Sequence, residues 1–518
     1  MSVWLLRLRY AGQDHHFASE SCAPEDEDGE GIPHRGTLTV SGYVEYLEAA
    51  GGFSGPCSAG VTFQLDHVEL WSLIADGHHL DGARGELALW DEGTAYAART
   101  RVLTGRLAVS ELPDNGMEIE GTLTETLIEA AHDYPPADAV ASLETWDTLP
   151  ADEEVADLSG TPYPFPFGKL GGFVGDDGSS GNAPATPVII VDDTGGAEIG
   201  LIAGDEVSAS SVTILYDDGT TREDATFAVT HQVDGRGRRC AVVAMSGAPA
   251  GWTLDGTASL WVTSWGAGGI VSRMGTGAIL GLGDLLAHLL LQRYGDQGAE
   301  RVDVAAWMGV RAELNRVHVG VDLKAGDPLS HVQRLIKMAP ALWVLPGPAG
   351  YRPVVLADTP APLCRHLEVG RELQRSAGSR PAYVDITPFN KITASFAPDA
   401  EESEFRATEY LDYLRDPLAA ASRARLEGEV TAEPLELDGT YDRQTVGLIL
   451  REQVRMNWTK PILFSWDAPW EVAKTLRLGQ RVRVTDDDFA LDERPLWIIG
   501  RQTDGTADPW TVTMMGMW

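Results

Sequence analysis

Along most of this chain apolar residues alternate with polar ones, the spacing that a strand with one dry and one wet face requires. The clearest alternation closes the chain. In residues 478–518, Val482 and Val484, then Trp497-Ile498-Ile499, then Trp510, Val512 and Met514 mark three short strands separated by turn-formers. The front has the same character, with strands expected at 3–10, 37–47 and 61–65. Further strands are expected at 188–190, 206–209, 212–216, 227–230, 239–245 and 260–265, with turns at Asp217-Asp218-Gly219 and Asp234-Gly235. Helical spacing begins at Leu282. Leu282, Leu285, Leu286, Leu289 and Leu290 share one face, and Gly295 is expected as a left-handed cap. A second helix opens on Asp327 with Pro328 behind it, buries Leu329, Val332, Leu335 and Ile336, and stops at Pro340. ALWVLPGPAGYRPVVLAD, 341–358, reads as a hairpin, which with these helices makes a small α/β unit. NKITASFAPD then starts a strand expected to break at Pro398, and the stretch to Glu429 reads as a loop with a short helix. A helix over 442–457 presents Val446, Ile449, Leu450 and Val454, and Pro461 to Trp466 opens the closing barrel.

The chain also matches itself. Shifted by 395 residues, LALWDEGTAYAARTRVLTGR, 87–106, lies on VRVTDDDFALDERPLWIIGR, 482–501, without a gap. Asp91/Asp486, Ala95/Ala490, Arg99/Arg494, Gly105/Gly500 and Arg106/Arg501 are identical pairs, and Leu87/Val482, Leu89/Val484, Val102/Trp497 and Leu103/Ile498 stay apolar. Each copy continues into another alternating strand, Met117 to Gly121 and Trp510 to Met514. One small β-barrel used twice explains the match. Equivalent glycines are then expected where a side chain would collide or positive φ is needed, with Arg106 and Arg501 on matching faces.

A chain of 518 residues exceeds one core, at about 150 residues per domain. The fold class expected is mainly β with a smaller α/β part, divided into a first β-barrel domain at 1–147, a central all-β domain at 148–281, an α/β domain at 282–380 and a second β-barrel domain at 381–518. Acids outnumber bases 77 to 40, and residues 1–150 hold 26 acids against 7 Arg and no Lys. Such a surface repels polyanions, so binding nucleic acid or anionic lipid by charge is excluded, and solubility is the plain reading of the excess. No apolar run approaches the roughly 18 residues of a membrane span, and no export leader is expected at the N-terminus.

Candidate chemistry is sparse. Cys22, Cys57, Cys240 and Cys364 lack metal or disulfide-framework spacing. Glu25-Asp26-Glu27-Asp28 lacks the oxygen spacing of a calcium loop and reads as a solvated loop. His15-His16 and His78-His79 point opposite ways on any strand, and Asp486-Asp487-Asp488 pairs in the self-match with Asp91-Glu92-Gly93, which a turn explains. GAGGIVSRMGTGAILGLG, 266–283, matches no phosphate-loop motif and reads as a flexible connection. TPYPFPFGKLGG, 161–172, is a stiff joint that lies in a groove of its own domain or of a neighbouring subunit. Trp90, Trp261, Trp497 and Trp510 suit core or subunit interfaces better than carbohydrate stacking. No catalytic, cofactor-binding or metal-binding residue is assigned, and no enzyme motif is found.

Residues 442–518, with their helix and the FSW, RLGQRVRVTD, PLWIIGR and WTVTMM strands, resemble the closing barrel of bacteriophage tail hub proteins. These are the baseplate hub of contractile tails and the tail-associated hub of siphophages and gene transfer agents. TPYPFPFGK with PVIIVDD and LIAGDEVSAS, and LGDLLAHLLLQRYG with DPLSHVQRLIKMAPALWVLPGPAGYRP, resemble further segments of such hubs. The resemblance implies a non-enzymatic homotrimer in the virion, at the tail tip, assembled in the host cytoplasm. Its two barrels per subunit would meet tail-tube or distal tail rings, with a tip fibre or other baseplate proteins below and genome DNA passing through the lumen without specific binding. Some hubs carry a fused peptidase or lysozyme domain, and nothing in this sequence matches one. Two alternatives remain open at this stage: a secreted β-rich polysaccharide-active enzyme and a receptor-binding tail protein.

Overall fold

In the computed structural model the alternating stretches at both ends of the chain are strands of one sheet, 14 strands among the described residues. The described residues are 2–517 except 27, 48–51, 54–56, 66–70, 73, 110–117, 125–131, 143, 147–159, 171–184, 193–197, 218–221, 247, 250–251, 253–258, 266–267, 296–300, 346, 348–349, 357–359, 361–362, 376–378, 400–403 and 506–507. Outside them fall Glu27, Met117, Asp218-Gly219, the ends of the joint at Gly171-Gly172 and of the Gly-rich run at Gly266-Ala267, and the expected boundary at 147.

The N-terminal part of the sheet runs in the order Gln13–Ala18, Ser2–Tyr10, Arg84–Asp91, Thr100–Ala108, Glu118–Thr124, Ser58–Gln64, Thr39–Tyr46. Leu38 N–H donates to Ala18 O at 2.9 Å, which brings the lead-in of the last strand back to the first. Leu6, Phe17, Phe63, Leu87, Ile119 and Leu123 are its buried interior. Thr39–Tyr46 then pairs with Leu491–Thr503, and Trp510–Gly516 and Ile462–Ala468 follow, with Arg481–Asp486 also on Leu491–Thr503.

Contacts divide the chain into two units. One comprises Met1–Glu129, Ala341–Ile386 and Lys460–Trp518, and the other Ala130–Pro340 and Thr387–Thr459. The segments expected as two end domains thus contribute to one unit. The hairpin Leu342–Leu345 with Arg352–Val355 forms as expected, but in the first unit, where its first strand pairs in parallel with Gly52–Phe53. The helices expected beside it lie in the second unit, so the small α/β unit is corrected: other elements cover the helices.

The second unit contains a nearly closed barrel of seven strands in the order Thr186–Pro187, Ser259–Ser264, Ser211–Asp217, Arg222–Val233, Arg239–Ala244, Ile199–Ala203, Ile189–Asp192. Its two edges are successive pieces of one segment, parted only by Val188. The strand expected at 206–209 is instead a single bridge from Val207 to Ile270, and Ile199–Ala203 takes its place. Leu282–Tyr294 is buried along its whole length and ends at Gly295, whose φ of 52° and ψ of −124° suit glycine but differ from the left-handed cap expected. Asp327 caps Pro328–Leu335, and Asp442 caps Arg443–Asn457, which buries Val446, Ile449, Leu450 and Val454. A helix the periodicity did not indicate spans Val304–Leu314. The strand Ile392–Asp399 does not break at Pro398. Its parallel neighbour Leu435–Leu437 ends opposite Phe396, so no N–H is needed on that side two residues later.

Candidate functional site: the seam of the large sheet

The two halves of the large sheet meet through four residue pairs, Tyr46/Gly500, Glu45/Arg501, Val44/Gln502 and Tyr43/Thr503. Local backbone geometry prepares this seam. Gly42 adopts φ +134° where the pairing of Thr39–Tyr46 shifts between Val40 and Tyr43, a bulge that re-aims the side chains beyond it. Glu45 turns inward to 3% exposure, while Val44 is 52% exposed. Apolar residues therefore face out and a carboxylate faces in.

Glu45 accepts from Arg501 and from Arg352 of the hairpin, so three distant segments meet on one carboxylate. Burial would raise the Glu45 pKa, but the charges of Arg501 and Arg352 outweigh it and hold the group below the ordinary carboxylate value. Burial alone would lower the Arg501 pKa, and Glu45 raises it instead. Arg501 also donates to Leu476 O at 3.1 Å. Beside the pair, Trp510 stacks on Trp4 with ring centroids 6.1 Å apart and packs on Trp470 at 5.1 Å. The cavity left among Tyr43, Glu45, Arg352, Arg501 and Trp510 is about 90 Å³. Ligand pockets run from roughly 300 Å³ upward, so this is a joint and not a substrate site.

The repeated segments sit on either side of this joint. Both form the same meander, Arg84–Asp91 to Thr100–Ala108 to Glu118–Thr124 and Arg481–Asp486 to Leu491–Thr503 to Trp510–Gly516. A short 3₁₀ turn, Tyr96–Ala98 or Asp487–Phe489, interrupts each hairpin. Their registers differ by two residues: Leu87 faces Leu103, whereas Val482 faces Leu496 and not Ile498. A slide of two leaves every side chain on its own face. A Cβ on Gly500 would come within 2.6 Å of the Tyr46 ring, as expected of a close approach. Gly105 stands opposite Gly85. Neither Gly105 nor Gly500 has positive φ, which corrects that part of the expectation. Arg106 donates to Gly82 O at 2.7 Å, while Arg501 meets Glu45, so the equivalent arginines have different partners.

The other candidates resolve into structural roles. Asp486 accepts from Trp466 Nε1 at 2.9 Å and Arg375 Nη2 at 2.6 Å. Its counterpart Asp91 accepts from Ser2 Oγ at 2.7 Å and Lys474 Nζ at 2.9 Å. Asp26 folds its loop by accepting from the Asp28 and Glu30 amides. His16 packs on His34 with ring centroids 4.8 Å apart, beside Tyr96 and Arg99. Burial, with His34, pushes the His16 pKa down to about 4. No group of three or more metal-ligating side chains occurs among the described residues. None of the four cysteines is in a disulfide, and burial pushes the Cys240 thiol up to about 12.

The Gly-rich run is tied down and not flexible. Its amides are consumed by main-chain carbonyls, Gly269 N–H by Gly168 O, Ile270 N–H by Pro166 O and Val271 N–H by Glu206 O, which leaves none of these three for a phosphate. The stiff joint packs in its own unit. Tyr163, Phe165 and Phe167 are buried, and Pro166–Gly168 pairs with Gly320–Asp322. Trp90, Trp497 and Trp510 are buried, and Trp261 is half-buried.

Sequence reasoning missed one further network. Arg273 N–H donates to His288 Nδ1 at 3.2 Å, which leaves the imidazole proton on Nε2, 3.2 Å from the Tyr134 hydroxyl. That hydroxyl donates to Asp205 at 3.0 Å. Burial first, and then Arg273, push His288 down to about 3. With His288 1% and Tyr134 6% exposed, the network holds elements together and does not face a substrate.

No family model matches the sequence. No curated protein matches it either. Solved structures similar to this chain include the 43 kDa tail protein of prophage MuSo2 from Shewanella oneidensis, at 9% identity over 99% of this chain and 98% of that one, TM-score 0.42. A tail protein from Neisseria meningitidis matches at 10% identity over 99% and 96%, TM-score 0.40. A prophage tail protein from Listeria monocytogenes matches at 8% identity over 96% and 95%, TM-score 0.37. No residue of this chain takes a role from them.

Proposed function

We propose that this chain is the structural hub of a phage-like tail tip, three copies forming a ring that joins a six-fold tail tube to a three-fold tip and surrounds the path of the DNA. The observation that carries this reading is the repeated three-strand meander, present in both halves of one sheet. A closed ring needs equivalent surfaces at each contact, and three subunits with two like docking units each present six. The sequence resemblance to tail hubs supports the same assignment. The four parts read from sequence, 1–147, 148–281, 282–380 and 381–518, are retained within this proposal as functional regions. Partners would be tail-tube or distal tail rings on one side and a tip fibre or other baseplate protein on the other. The excess of acids suits a lumen that DNA slides through, because a basic wall would retain a polyanion through many charge contacts. Imaging of the particle tests the proposal: three copies at the tail tip, with the two meanders at similar height along the axis, are expected. Any other stoichiometry or position would overturn it.

A further inference from the structure

Acids outnumber bases 77 to 40 in the chain, yet YLRDPLAAASRARL, 413–426, holds three arginines and one acid. That acid, Asp416, is occupied as the N-cap of Pro417–Leu426, where it accepts from the Leu418 and Ala419 amides at 2.8 and 3.1 Å. Arg415 lies over the Tyr410 ring at 3.8 Å and donates to Glu409 at 2.9 Å, and Arg423 lies over the Tyr413 ring at 3.6 Å. Between the two stacked pairs Leu414 is 79% exposed, and Tyr410 is 43% exposed. The helix behind them buries only Ala419 and Ser422, and Ala420, Ala421 and Ala424 face outward. The second unit therefore presents a cationic, aromatic knob followed by a flat face of small side chains. Tyrosine and arginine are the residue types that concentrate binding energy, and stacking fixes these two arginines before any contact is made.

We infer that this face binds the acidic surface of a second copy of the same chain. Copies with a formal charge of −37 repel one another in general, so association needs a place where the sign is reversed, and this stretch supplies it. The contact is head-to-tail. Two such faces set against each other across a two-fold axis would oppose arginine to arginine, whereas a cationic face meeting a different, acidic face repeats around a closed ring. The inference rests on the ring proposed above and names the surface through which one subunit holds the next.

Mass photometry of the full-length chain, over a range of concentrations and salt, tests it. Wild type is expected as a ring that weakens as salt rises, because the contact is electrostatic and exposed. R415E/R423E is expected to lose the ring while its circular dichroism is unchanged. R371E, the same change of charge at an exposed arginine elsewhere, is expected to keep it. A ring that persists in R415E/R423E overturns this surface and leaves the ring reading intact. A wild type that is monomeric throughout overturns both, and a wild-type dimer overturns the head-to-tail contact.

Discussion

At the scale of single residues the seam depends on a balance of charges that burial makes severe. Removing one partner of a buried ion pair leaves the other uncompensated, a loss of about 3–5 kcal/mol. Glu45→Ala, which strands Arg501 and Arg352, should lower stability by about that amount, read from urea unfolding at pH 7. A change under roughly 1 kcal/mol, the range of exposed pairs, would show that solvent reaches the joint. The pH dependence has two windows. The Glu45 pKa is lowered on folding, so its contribution is present above the ordinary value of about 4.3 and is lost as pH falls through the folded value. The His16 pKa is also lowered, to about 4, but for a base the consequence falls elsewhere. Between about 6.5 and 4 the unfolded chain takes up a proton that folded His16 refuses, so stability falls across that window. His16→Phe should flatten the melting temperature between pH 6.5 and 4 and leave the steeper loss below it; an unchanged slope would assign that window to other groups. None of this was legible in the sequence. Glu45 faces inward because Gly42 adopts φ +134°, and alternation alone assigns Val44 and Tyr46 to the core and Glu45 to water.

At the scale of elements, caps and periodicity located what they encode. Asp327-Pro328 and Asp442 start helices because their carboxylates accept the first free amides, a local interaction that needs no tertiary partner. Val304–Leu314 escaped notice for the opposite reason: VAAWMGVRAEL is apolar on every side and so has no stripe to detect. Only Trp307 and Leu314 of this helix are buried, and Met308 is 46% exposed. Gly309 lies inside it, and a Cβ added there would have nothing within 4 Å. Glycine in a helix interior costs about 0.8–1.0 kcal/mol relative to alanine, and nothing in this chain recovers that cost. Gly309→Ala should therefore raise stability by up to that amount, seen as a higher urea midpoint at unchanged slope. A lower midpoint would mean that the helix needs the glycine for its own backbone. Ile199–Ala203 was missed because IGLIA does not alternate: four of its five residues are buried, and its ladder slips by one residue between Leu201 and Ala203.

At the scale of the whole molecule, strand patterns indicate that sheets form but not which edges meet, because any exposed ladder of amides and carbonyls accepts any other. The union of the two ends in one sheet was out of reach for that reason, although the repeat that flanks it was visible. The connection has a kinetic consequence. Glu45 and Arg501 are 456 residues apart, and the first unit is complete only when Lys460–Trp518 has joined Met1–Glu129. The second unit closes its barrel within residues 186–264 and its longest helix through consecutive leucines. Local contacts form before distant ones because closing a long loop costs entropy before any contact compensates it. Refolding of the full chain from urea, with pulsed hydrogen exchange, should protect the amides of Val242, Val243 and Leu285–Leu291 before those of Gly500–Thr503. The Glu45→Ala chain should lengthen that interval only if the ion pair forms in the transition state; otherwise it should speed unfolding alone. Simultaneous protection of both sets would mean that the two units fold as one, and the order argued from topology would fall.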